Sequence, residues 1–190
     1  MSLKPLFVST ATIKKYGVIE NNVDDKLIAQ TIIMVQDLQL QQILGSDLYN
    51  EIANQINAST LTVLNQTLLD EYIRDFIINA TIADGAIIFN YRFSNKGVVT
   101  QNSDNQQPVS QRELELIEQK WGRMAEFYGK RLSGYLAENS NIYPLWMSGN
   151  NKLQDIQSRE LGYSTGFFLG RSRRTTTNNE RKYYPYCKDC

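Results

Sequence analysis

The chain has 190 residues, with 20 Lys and Arg balanced by 20 Asp and Glu and no histidine. A neutral chain lacks the cationic excess from which general nucleic-acid binders draw their affinity. Without histidine, Ser-His-Asp and Cys-His nucleophile sets, mixed Cys/His zinc sites and facial-triad iron sites are all excluded. The length suits one domain that buries a hydrophobic core without metals or disulfides. The 11 Tyr and 7 Phe suit a chain that works inside an assembly. Met1 to Phe7 has no apolar signal core, and no run of about 18 apolar residues exists to span a membrane. A soluble protein made in a cytoplasm is expected.

Residues 1–9 read as extended, with Pro5 blocking a helix. A short helix is expected from Thr10 to Tyr16, closed by Gly17, the residue type that tolerates a left-handed cap. Asn21 and Asn22 offer an N-cap, and Asp24 and Asp25 place negative charge where the helix dipole favours it. Apolar positions from Leu27 to Ile43 then recur at three-to-four spacing, an amphipathic helix of roughly twenty residues stopped by Gly45. Ser46 is expected to cap a second helix through Leu48, Ile52 and Ile56. This corner has the geometry of a helix-turn-helix, but DNA reading needs basic residues early in the second helix. The chain has Asp47 and Glu51 there.

After a polar loop at 57–60, a helical pattern runs from Leu68 to Tyr91, and its second half is apolar on nearly all sides, as in a central buried helix. Asp84-Gly85 interrupts it. Asp84 reads either as a carboxylate with a chemical role or, more simply, as part of a kink or subunit contact, with Gly85 admitting a neighbouring helix. Val98-Val99-Thr100 and the polar stretch after it predict an exposed hairpin or loop near 95–109, ended by Pro108. Ser110-Gln111-Arg112-Glu113 is a capping box. It opens a helix striped with Leu114, Ile117, Trp121, Met124, Ala125, Tyr128, Leu132 and Tyr135. Gly122 and Gly129 lie near one line of it and admit a close neighbour, within the subunit or between subunits. Asn95, Lys96, Val98, Val99, Gly122 and Gly129 are the candidate contacts between copies.

From Asn139 the pattern is aromatic and non-helical. Residues 171–190 hold six basic side chains against two acidic ones, plus four, which leaves minus four for residues 1–170. Tyr143, Trp146, Phe167, Phe168, Arg171, Arg173, Arg174, Tyr183, Tyr184 and Tyr186 are the expected anchors of an arm ordered by a partner. Docking on an acidic protein surface and contact with nucleic-acid phosphates both stay open for it. Cys187 and Cys190 have CxxC spacing, but a redox pair belongs at a helix N-terminus, and a zinc site needs two further ligands that the chain lacks. No phosphate loop, dinucleotide turn or HExxH pair occurs. No catalytic residue, metal site or cofactor is expected.

The expected fold is mainly α: a helical bundle over residues 1–138 with a short β-hairpin or extended loop, then a long non-helical C-terminal arm over 139–190. Asn22-Val23-Asp24-Asp25 through Ile32, Gln36-Asp37-Leu38 and Ile43 through Ile52 resemble head–tail connector (adaptor, neck-ring) proteins of tailed phages infecting Bacteroidetes, crAss-like phages among them. Similar segments follow in order: Leu69 to Ile73 with Phe76-Ile77, Asn95 to Val99, Asn102-Ser103-Asp104, and Ala125 to Tyr128. The resemblance covers about residues 1–140. It implies a ring of about a dozen copies beneath the portal, joining capsid to tail in the virion, with no catalytic residues to carry over. The partners implied are further copies, the portal, adjacent neck and tail proteins, and DNA in the channel. Two other readings compete: a nucleic-acid-associated scaffold using the basic tail, and an enzyme built on carboxylates.

Overall fold

The computed structural model describes residues 4–94, 97–100, 110–146 and 156, with the backbone alone for 91–94 and 97–100. The chain is mainly helical. In order come α1 (Thr10–Tyr16), α2 (Asp25–Val35), a π-helical segment (Gln36–Leu40), α3 (Gln41–Leu44) and α4 (Ser46–Ala58). Then follow α5 (Val63–Leu68), a second π segment (Leu69–Ile73), α6 (Arg74–Ile88), strands β1 (Tyr91–Ser94) and β2 (Gly97–Thr100), and α7 (Gln111–Glu138).

Local chemistry accounts for most boundaries. Ser9 caps α1 by accepting the Thr12 N–H. The N-cap of α2 is Asp24, whose carboxylate accepts the Lys26 N–H at 2.9 Å. The expected cap at Asn21 or Asn22 lies too early, because Asp24 combines a good acceptor with a negative charge at the positive end of the dipole. Gly17 closes α1 in an extended conformation, not a left-handed one. Both halves of the Ser110–Glu113 capping box are formed, and the paired hydrogen bonds hold the Glu113 carboxyl below its usual pKa.

The helix from Asp25 does end at Gly45, which sits at φ 74°, ψ 159°, a region open essentially to glycine alone. That conformation makes Gly45 itself the N-cap of α4, and Ser46 is the first helical residue. Its hydroxyl instead accepts from Gln41 Nε2 and from the Ile156 N–H, while the Ser46 N–H donates to the Ile156 carbonyl.

Two widened turns had no signal in the apolar spacing. Each π segment continues the helix before and after it, and each holds a side chain that ties down another part of the chain. In the first, buried Gln36 accepts the Phe7 N–H at 3.0 Å and donates to the Pro5 carbonyl at 3.1 Å. Lys4 pairs with Asp37, and the Phe7 ring stacks on Tyr49. In the second, Tyr72 stacks on Tyr135 of α7 with ring centres 4.0 Å apart, and the Arg131 guanidinium lies over the Tyr72 ring.

α6 is the central helix, packed chiefly against α7 and α2, as its nearly uniform apolar surface requires. Phe76, Ile77, Ile78, Ala80, Ile82 and Ala83 are buried in it. The helix runs unbroken through Asp84-Gly85, which corrects the expected interruption. Gly85 is needed because the Phe89 ring folds back over it, and an added Cβ would lie 2.4 Å from that ring. The helix stops at Ile88, so Tyr91 belongs to β1 and not to the helical pattern that was expected to reach it. β1 and β2 pair antiparallel, Tyr91 opposite Thr100 and Ser94 opposite Gly97. The hairpin thus begins four residues before the expected 95–109 segment, of which 95–96 and 101–109 lie outside the described residues.

The packed body extends beyond the expected limit at residue 138. Tyr143 and Trp146 are only 4% and 3% exposed. The Tyr143 hydroxyl donates to the Leu64 carbonyl at 3.0 Å, and the Trp146 indole N–H donates to the Ile43 carbonyl at 2.9 Å. A helix end leaves carbonyls without intrahelical partners, and Trp146 satisfies one at the end of α3. Both residues were expected to anchor an external arm, and both are instead buried in the body.

Candidate interaction surface

An open groove of about 940 Å³ lies between the first π segment with α3, α6 and α7. Small side chains create it: Ala80 and Ala83 on α6 face Gly122 and Ala125 on α7, and none fills the space between the helices. Ile43 and Phe76 complete an apolar floor, while Leu38, Gln39 and Gln42 form one wall. Leu38 is exposed at the rim. At Gly122 an added Cβ would meet nothing within 4 Å, so the groove is open there.

The groove is acidic. Among the described residues, Asp84, Glu118 and Glu126 line it with one cation, Arg123. Asp84 is half-buried and accepts a hydrogen bond from Gln39 Nε2 at 3.0 Å. Burial pushes its carboxyl pKa up, and the nearby Glu118 pushes it the same way. Glu126 forms an ion pair with Lys130 at 2.7 Å.

A second uncovered face lies on α7 itself. Leu116 is 57% and Phe127 64% exposed, with Ile117 and Met124 also exposed. Helical spacing puts these four on one side of α7, with Lys120 among them. Gly122 and Phe127 are five positions apart, which places the groove wall and this stripe about 140° apart around the helix.

Of the residues expected to contact other copies, only Gly122 lies on an open surface that the structure describes. Gly129 is buried within the subunit, which removes it as a contact between copies. Val98 and Val99 lie in β2, opposite Phe93 and Arg92, and Asn95 and Lys96 fall outside the described residues. So do Phe167, Phe168, Arg171, Arg173, Arg174, Tyr183, Tyr184, Tyr186, Cys187 and Cys190. The Leu116–Phe127 stripe was missed because the apolar spacing of α7 was assigned wholly to the core. Two apolar residues off the buried face, Leu116 and Phe127, were the signal available.

Among the described residues no three His, Cys, Asp or Glu side chains are placed to hold a metal ion. None of their helices is long and apolar enough to cross a membrane. A model of a family of unknown function, DUF6712, matches residues 40–155. The chain belongs to this family. The match starts at the end of the first π segment and takes in the Gly45 corner, α6, α7 and the buried Tyr143 and Trp146. No curated protein and no solved structure matches the chain.

Proposed function

We propose that this DUF6712 chain is a structural subunit of the virion neck of a tailed phage. About a dozen copies form a ring that links the portal to the tail around the DNA channel. Its role is assembly and not catalysis. The observation that carries this reading is a helical body with two unlike faces uncovered, an acidic groove with an apolar floor and an apolar stripe bearing Lys120. A closed ring requires two different faces on each subunit, because each copy meets its two neighbours through different surfaces. The ordered similarity of residues 1–140 to head–tail connectors supports the neck as the place of that ring.

The genome that encodes the chain is expected to carry portal, capsid and tail genes beside it. The purified full chain is expected to bind that portal, with little salt-sensitive affinity for DNA. Tight DNA binding by the free chain that weakens steeply with salt, without portal binding, would sink this reading.

A further inference from the structure

From these two faces we infer that the groove formed by the first π segment, α3, α6 and α7 receives the Leu116–Phe127 stripe of α7 from a second copy. This rests on the reading that copies associate, and it names the two surfaces that do so. Three features support the pairing. Shape is the first: the groove floor is built of Ala80, Ala83, Gly122 and Ala125 beside Ile43 and Phe76, the small-residue lining that lets a helix carrying large apolar side chains approach closely. Solvation is the second: Phe127 and Leu116 are more than half exposed, and burying them in an apolar groove is favourable. Charge is the third: Lys120 lies within the stripe, and Asp84 and Glu118 line the groove, neither of them in an ion pair among the described residues.

The contact is heterologous. Groove and stripe lie on different sides of α7, so a copy that inserts its stripe into one neighbour still offers its own groove to another. Association therefore propagates, and it closes into a ring where the rotation per copy allows.

The test uses the full chain and two substitutions on opposite sides of the contact. Gly122→Trp fills the groove at a position where a Cβ meets nothing, and Phe127→Asp charges the exposed stripe. Circular dichroism and thermal melting check that each variant folds, with Lys120→Glu as a milder second variant of the stripe. Sedimentation is then followed from dilute to high concentration. The expected result is self-association of the unsubstituted chain that each variant weakens by roughly tenfold or more. An equimolar mixture of Gly122→Trp and Phe127→Asp is expected to give a dimer, because the first retains a stripe and the second a groove. Mixing that restores nothing overturns the proposal, as does an unsubstituted chain that stays monomeric throughout. Association that both variants leave intact overturns the pairing alone and leaves the ring reading in place. Loss of association only on Phe167→Asp with Phe168→Asp would assign the groove to the chain's own C-terminal segment, and that too overturns the proposal.

Discussion

The Trp146 indole N–H donates to the carbonyl of Ile43, 103 positions earlier in the chain. This bond places Trp146 over the end of α3 and inside the same core as the helices. It also braces the groove, because the Ile43 side chain forms part of the groove floor. Replacing the indole by a phenyl ring removes this donor from the Ile43 carbonyl together with part of the buried ring. Trp146→Phe is predicted to cost about 1–3 kcal/mol, and Trp146→Ala about 3–5 kcal/mol through the added cavity. Urea denaturation measures both. A chain cut after Glu138 should melt well below one cut after Ile156, and equal melting temperatures would mean that this packing contributes nothing.

Gln36 makes a comparable connection at the other end. Its amide satisfies the Phe7 N–H and the Pro5 carbonyl together, so Gln36→Leu leaves two backbone groups without their partner. A loss of about 2–4 kcal/mol is predicted, accompanied by faster hydrogen exchange at Phe7. Unchanged exchange at Phe7 would show that the N-terminal segment is held by other contacts, such as the Phe7–Tyr49 stack.

Two glycines should respond oppositely to alanine. Gly45 holds a conformation that side chains rarely adopt, so Gly45→Ala should cost about 1–3 kcal/mol. Gly122 lies within α7 with open space around it, so Gly122→Ala should stabilise the chain by about 0.5–1 kcal/mol through helix propensity. Thermal melts of the two variants, shifted in opposite directions, are the expected result.

Asp84 should make stability depend on pH. Desolvation first, and Glu118 second, raise its pKa in the folded chain. Glu126 and Arg123 also face the groove, and Gln39 bonds the carboxylate. A raised folded pKa means that the contribution of this group is fully present below its unfolded pKa. It is lost as pH rises through the folded pKa, so at neutral pH the charged carboxylate is a cost. Asp84→Asn is therefore predicted to stabilise the chain near neutral pH, by less than about 1 kcal/mol because water still reaches the group. The gain should fade in acid. A gain of the same size at both pH values would show that charge is not its source. Because Asp84 lines the groove, the same variant should weaken association while strengthening the fold.

Features with local causes were readable from the residues. The Thr10–Tyr16 helix, the stop at Gly45, the capping box at Ser110 and the buried character of α6 each follow from spacing, a cap or a glycine within a few positions. The π segments were not readable, since the extra residue only shifts which apolar position turns inward, leaving Leu38 exposed and Leu40 buried. Long-range pairs such as Gln36 with Phe7 and Trp146 with Ile43 leave no local mark, so Tyr143 and Trp146 looked like free aromatic anchors. The groove was half visible. Gly122 was singled out, but a groove is made by small residues on two helices together, and Ala80 with Ala83 gains its meaning only once α6 lies beside α7.

Assembly into a neck ring is tested by electron microscopy of the purified full chain, alone and mixed with any portal protein that its genome encodes. A closed ring of about a dozen copies is expected, formed by the chain itself or on the portal. A chain that remains a monomer in both samples, with no density added to the portal, would contradict it.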